Sequence, residues 1–255
     1  MKARQRRFAL RLAVPLVLLA IWWFASRGST SVFFPPLSDI LRRFQEIWLF
    51  DRFGTDVVPS LVRMLGGFVL GGVVGVAAGV LLGLMPVLRR ATNPALQFAR
   101  SIPGPALALV FLVVLGTSSA DKIVLIAFVG FFPVVLNTMS GVSDMEPVLG
   151  DVAKSYRMTT SQLIRHVILP GAAPKIAAGL RISLGLSFIM MILSEYVGGT
   201  NGIGHFTRGA ATKFDITDMW SGMLLLGVIG VLANVVFQVA ERQVLKWQHG
   251  QNQDA

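Results

Sequence analysis

Residues 61–85 read LVRMLGGFVLGGVVGVAAGVLLGLM, and the only charge among them is Arg63. A bilayer core about 30 Å thick takes about twenty predominantly apolar residues as a helix, because backbone groups left unsatisfied in hydrocarbon are too costly. The stretch is long and apolar enough to cross, so the chain reads as an integral membrane protein. Within it Gly67, Gly71, Gly75, Gly79 and Gly83 recur every four residues, leaving one stripe of the helix without side chains. Helices in lipid gain no hydrophobic drive from association, and small-residue faces that let backbones approach are their usual packing device. Two readings of the stripe stand: a sliding or rotating contact in a moving core, and a static seam.

Working outward, five further segments have the same character: Phe8 to Ser26, Ile102 to Thr117, Lys122 to Ser140, Ile176 to Val197, and Trp220 to Ala240. Together they predict an all-α membrane protein of about six transmembrane helices, forming a single domain over residues 1–255. The third is short and opens on Pro103 and Pro105, which predicts a bend or a start inside the headgroup layer. Composition agrees: 54% of residues are hydrophobic, 14% are charged, and the mean hydropathy is +0.67. A soluble chain of this size needs roughly a quarter of its residues charged. Cysteine is absent, which removes disulfides and thiolate metal sites. The first segment follows Lys2, Arg4, Arg6 and Arg7, as a secretory signal does, but its length and the lack of a clean small-x-small site favour an uncleaved anchor.

The net charge of +10 raises nucleic acid as a partner until the charges are located. With the amino terminus inside, fourteen Lys and Arg fall on inner segments and eight on outer ones, with Arg181 near a boundary. That bias is the one expected of cytoplasmic loops, so both termini are placed in the cytoplasm, 241–255 being a cytoplasmic tail, and nucleic acid loses its support. The outer segment 27–60 is amphipathic. Ile40, Leu41, Phe44, Ile47 and Trp48 recur at helical spacing while Arg42, Arg43, Gln45 and Glu46 face elsewhere, with Ser38 or Asp39 as N-cap. It reads as a helix along the outer surface or as a lid packed on the bundle.

The longest inner loop, 141–175, carries the most information. Val148, Leu149, Val152, Ala153 and Tyr156 fall on one helix face, and Asp151, Lys154 and Arg157 on the other. A turn at Met158 to Thr160 and a short helix from Ser161 to Val167 follow, stopped by Leu169, Pro170 and Gly171. Such a pair of helices has too small an apolar face to stand alone, so it packs either on its own spans or on a partner.

Charges within spans are costly and mark function, which singles out Glu195 and Arg181. Fourteen residues apart on one helix, about 21 Å, they cannot pair. Glu195 reads as a gate near the outer end or as an interfacial residue reaching headgroups or water; Arg181 snorkels inward or bonds the loop. Gly198, Gly199, Gly202 and Gly204 with Asn201 predict a flexible outer turn. No phosphate-binding Gly-x-x-x-x-Gly-Lys-Ser/Thr pattern occurs, the three histidines lack metal-ligand spacing, and no catalytic constellation is seen.

The segment Asp151-Val152-Ala153, then Arg157, then Ile168-Leu169-Pro170 resembles the EAA loop of ABC importer permeases, with the acidic residue and the terminal Leu-Pro at the family's separation. Two departures stand out: Asp151 replaces Glu, and Arg157 stands where the family has a glycine able to take a left-handed turn. The resemblance runs over nearly the whole chain and is closest to the nitrate, sulfonate and taurine type. Pro59-Ser60-Leu61-Val62-Arg63, Arg100-Ser101-Ile102-Pro103, Phe131-Phe132-Pro133 and Gly179-Leu180-Arg181-Ile182 also carry it.

The resemblance implies the type I ABC importer permease fold and a bacterial inner-membrane location. Its implied partners are a second copy of the permease, a cytoplasmic ABC ATPase dimer holding ATP and Mg, a periplasmic or lipid-anchored solute-binding protein, and membrane lipid. No cofactor is implied for this chain. It places ATPase coupling on Asp151, Val152, Ala153, Tyr156, Arg157, Met158, Leu169 and Pro170, and makes a small anion the solute. The competing classes are a secondary carrier or channel, which would show polar relays in several spans where only Glu195 and Asn234 stand out, and a membrane enzyme.

Overall fold

A computed structural model describes residues 13–14, 17–145 and 155–246. All its regular elements are helical. We number them α1 Val17–Ser26, α2 Leu37–Glu46, α3 Val58–Leu84, α4 Pro86–Arg100, α5 Gly104–Leu115, α6 Ser119–Ser143, α7 Thr160–Gly198, α8 Ile203–Thr212 and α9 Ile216–Val244. Among the described residues four helical stretches are long and apolar enough to cross a bilayer alone: α3 with the π turn before it, α6, α7 and α9. The third predicted segment differs from a straight span. It is the twelve-residue α5, set at 91° to α4, and only the bent pair together reaches spanning length. Pro103 is the physical reason: it ends α4 and restarts the chain at φ −61°, ψ 129°.

The centre of the bundle is the seam of α3 on α6, with α7 on the other side of α6. A Cβ placed on Gly67, Gly71, Gly75, Gly79 or Gly83 would meet Ile126, Ala127, Val134, Thr138 or Val142 of α6 at 2.5–2.8 Å. Any larger residue there would push the two backbones apart. α6 begins with a capping box between Ser118 and Asp121, which satisfies the Ser118 and Asp121 N–H groups at its start. Its internal Pro133 leaves a gap in the helix ladder, and Asn137 Nδ2 donates to the Pro133 carbonyl at 2.8 Å.

The predicted stop at Leu169-Pro170-Gly171 is not where the helix ends. α7 runs unbroken for 39 residues, and a π turn at Ile164–Ile168 lies directly ahead of Pro170. Widening the turn there accommodates the missing proline N–H, so the chain need not leave the helix. At 1.5 Å per residue α7 is about 58 Å long, nearly twice the hydrocarbon thickness. Its first turns therefore project out of the membrane and carry the loop with them.

The amphipathic segment before α3 packs on the bundle as a lid. Ile40, Ile47 and Trp48 are buried, and the Trp48 indole donates to Ser221 Oγ at 3.2 Å on α9 while stacking edge-on against Phe206 of α8. Two details differ from expectation: Leu41 is exposed, and Arg43 turns inward to grip Asp218 with Nε and Nη2 at 2.6 and 2.8 Å. α2 starts at Leu37 with no side-chain cap from Ser38 or Asp39, because Pro36 precedes it and supplies only backbone.

Candidate functional site

Glu195, near the end of α7, has no solvent exposure. A buried carboxylate costs several kcal/mol unless its lone pairs are met. Here they are. Arg63 Nη1 donates to Oε1 at 2.8 Å, the Ser60 hydroxyl lies 2.8 Å from both oxygens, and the Gly204 N–H donates to Oε2 at 3.1 Å. Arg63 is itself 3% exposed, and its other donors reach Asn201 Oδ1 at 2.5 Å, the Asn201 carbonyl at 3.2 Å and Ser119 Oγ at 3.1 Å.

The network also closes the start of α8. A helix leaves its first N–H groups unmet and its amino end partly positive. The Gly202, Ile203 and Gly204 N–H groups donate in turn to Asp56 Oδ1 at 2.7 Å, Ser60 Oγ at 3.0 Å and Glu195 Oε2. Two carboxylates and a hydroxyl from other elements thus cap α8. Gly202 has φ +112°, and a Cβ there would run into the Glu195 carboxyl. The glycine turn expected to be flexible is instead clamped, its backbone donors being used up by side chains of α3, α7 and the turn before α3.

Several sequence expectations change accordingly. Glu195 does not reach headgroups or water, and Arg63, counted among outer charges, is a core residue. Asn234 lies on the exposed face of α9, whereas Arg63, Lys122 and Asp218 are buried, so the charged groups that stand out beside Glu195 are these three and not Asn234. Arg181, half-exposed, pairs its guanidinium with Glu241 of α9. Asp56, Ser60 and Arg63 were missed as a set. Their spacing, i, i+4 and i+7 at the head of an apolar run, places one polar stripe on one helix face, and that signal was present.

Of the loop, Asp151, Val152 and Ala153 lie outside the described residues. Tyr156 is 74% exposed. Arg157 has φ +50°, the left-handed conformation a glycine would take for little cost. The turn then ends in a capping box, Thr159 Oγ1 accepting from the Gln162 N–H at 3.3 Å and Gln162 Oε1 from the Thr159 N–H at 2.9 Å. Ile168, between this turn and Leu169-Pro170, is buried in a cluster with Ala172, Val80 and Val142, which ties the base of the loop to α3 and α6. At the same end Asp144 accepts from Lys175 Nζ at 2.5 Å. That contact, with the Ser140 and Ser143 hydroxyls, holds the Asp144 carboxyl below the usual carboxylate range.

A multi-pass helical body with a glycine seam, a polar clamp at one end and a projecting loop at the other defines a membrane transport subunit. Residues 67–247 match the family described as the binding-protein-dependent transport system inner membrane component, and the chain belongs to that family. It is 32% identical over 248 residues to the bicarbonate transport system permease protein CmpB of Synechococcus elongatus, covering 93% of this chain and 89% of that one. It is 31% identical over 241 residues to the putative aliphatic sulfonates transport permease protein SsuC of Bacillus subtilis, covering 93% and 87%. Among solved structures it is similar in fold, at TM-score 0.64 and 21% identity over 74% of this chain and 94% of the other, to the MetNI methionine ABC transporter in inward facing conformations. The fold is therefore that of a type I ABC importer permease. The chain is a permease subunit that works with an ATPase and a solute-binding protein.

Proposed function

We propose that this subunit forms the translocation path for a small anionic solute and receives force from a separate cytoplasmic ATPase dimer through the loop tipped by Tyr156, Arg157 and Met158. In this reading 1–255 is one transmembrane domain, with 27–60 on the outer side, 141–175 as the coupling loop and 241–255 as a cytoplasmic tail. Both termini lie in the cytoplasm of the bacterial inner membrane, and a second copy completes the path. ATP and Mg are bound by the ATPase, and this chain hydrolyses nothing. The observation that carries the coupling assignment is an exposed turn at the head of a helix too long for the bilayer: α7 begins four residues after Tyr156 and runs unbroken to the buried Glu195. The anion rests on what relatives are named for, sulfonates and bicarbonate, which share a charged oxyanion.

Force arriving at the tip passes along α7 to Glu195, whose clamp makes the ends of α3, α7 and α8 move as one body. Glu195 acts in this reading as the latch of the outer gate, and Arg181 with Glu241 ties α7 to α9 on the way. The glycine stripe is the seam that keeps α3 with α6 during the movement. Tyr156→Ala removes the exposed ring without touching the core. It is expected to lower co-purification of the ATPase at least fivefold while the permease itself remains extractable and monodisperse; retention of the ATPase at wild-type ratio defeats the docking assignment.

A further inference from the structure

At the elbow between α4 and α5 the structure holds a cavity of about 400 Å³, within the range that accepts small ligands. Its wall is mostly apolar, with Phe132 and Met190 among the lining residues, and it carries two groups able to donate to an anion, Arg100 and Asn137. The elbow creates the space: α5 leaves α4 at 91°, and Gly104 admits the thioether of Met190, which a Cβ would meet at 2.9 Å. The opposite wall is a face of α7 on which Ile182 and Ile189 are exposed. Arg100 is exposed at the end of α4, and among the described residues no carboxylate lies within ion-pairing distance of it. Asn137 is held in place by its bond to the Pro133 carbonyl.

A guanidinium with free donors at the rim of an apolar cavity is costly unless water or an anion reaches it, and low-dielectric walls focus its field inward. Its planar fork matches a sulfonate or carbonate edge with two parallel hydrogen bonds. We propose that this cavity is this subunit's share of the anion passage and that Arg100 is the side chain that selects charge there. The proposal rests on the anionic-solute reading for its biological meaning, but the charge selection is a property of the chain itself.

The test exploits a chain without cysteine. Ile182→Cys places one thiol in the cavity, and Phe214→Cys, on an exposed loop residue, is the control. Each full-length variant, in membrane fragments open on both faces, is labelled with a sulfonate-bearing and with a trimethylammonium-bearing methanethiosulfonate of similar size. The ratio of the two rates at Ile182→Cys is expected to fall on the order of tenfold when Arg100→Gln is added, the size set by one charge acting through a partly screened medium. Arg100→Lys should preserve the ratio, and the control should not move. An unchanged ratio overturns the proposal, and so does a cavity thiol that neither reagent reaches while the control labels, since that face would then belong to lipid. Uptake of ethanesulfonate, taurine and bicarbonate by the reconstituted wild-type complex tests the parent reading separately: failure with all three removes the anionic solute without altering the labelling result.

Discussion

The two ends of α7 solve the same electrostatic problem in opposite ways. Around Glu195 charges are buried, shared among α3, α7, α8 and the turn before α3, and satisfied donor by donor. Toward the start of α7 the charges are exposed: Lys175 and Asp144 retain 45% and 58% side-chain exposure, and the turn before the helix holds a left-handed arginine. Breaking a buried pair strands a charge in a poor dielectric, whereas an exposed pair exchanges its partner for water. One end is therefore built to stay together, and the other is open to water, as the proposed docking to an ATPase requires. In a lever the first is the load and the second is the grip.

The largest expected effect tests the rigid end. Arg63→Met removes the only cation bonded to Glu195 among the described residues and takes a donor from four acceptor atoms, Glu195 Oε1, Asn201 Oδ1, the Asn201 carbonyl and Ser119 Oγ. Stranding a buried charge this way costs about 3–5 kcal/mol. The unfolding midpoint in detergent should drop by many degrees, and Arg63→Met with Glu195→Leu should recover part of the loss because no charge is then stranded. If Arg63→Met melts with the wild type, the clamp is not what joins α8 to the bundle, and the contrast between the ends collapses.

A smaller effect of opposite sign tests the grip. A non-glycine residue at φ +50° carries a cost of roughly 1–2 kcal/mol, part of which glycine gives back through its freer unfolded chain. Arg157→Gly should leave the global midpoint unchanged and steady the turn locally. Chymotryptic cleavage after Tyr156 is expected to slow by roughly three- to fivefold, since 1 kcal/mol is about a factor of five in local opening. Faster cleavage would mean that the guanidinium, not the backbone, holds the turn.

How much of this was legible in the sequence follows from which interactions are local. The glycine stripe has a period, and a period is visible in one helix, so the face that meets α6 was readable before its partner was known. The left-handed turn was flagged by a single departure, Arg157 at a glycine position, and the backbone keeps that conformation despite the side chain. The buried clamp was not readable as a whole, because Ser60 and Arg63 lie more than 130 residues from Glu195 and only the fold brings them together. Glu195 alone read as a gate residue or as an interfacial acid, since sequence gives depth along a helix but not which way the helix faces. The bend between α4 and α5 was half visible in its prolines, and its angle was not.

The smallest expected effect comes from the exposed pair, and its pH dependence carries the information. Lys175, with the hydroxyls of Ser140 and Ser143, holds the Asp144 carboxyl below its unfolded value. A depressed folded pKa means that the contribution is present above the unfolded value, about 3.9 for aspartate, and is lost as pH falls through the folded value. Asp144→Asn should therefore differ from wild type only slightly at neutral pH, and the difference should vanish in acid and in high salt, because screening acts on exposed charges. The same substitution logic applied to Glu195 predicts no such salt sensitivity, because its partners are shielded from ions. A salt-independent effect at Asp144 would place that pair inside a closed structure, and the loop would then be part of the rigid body rather than the docking surface proposed for it.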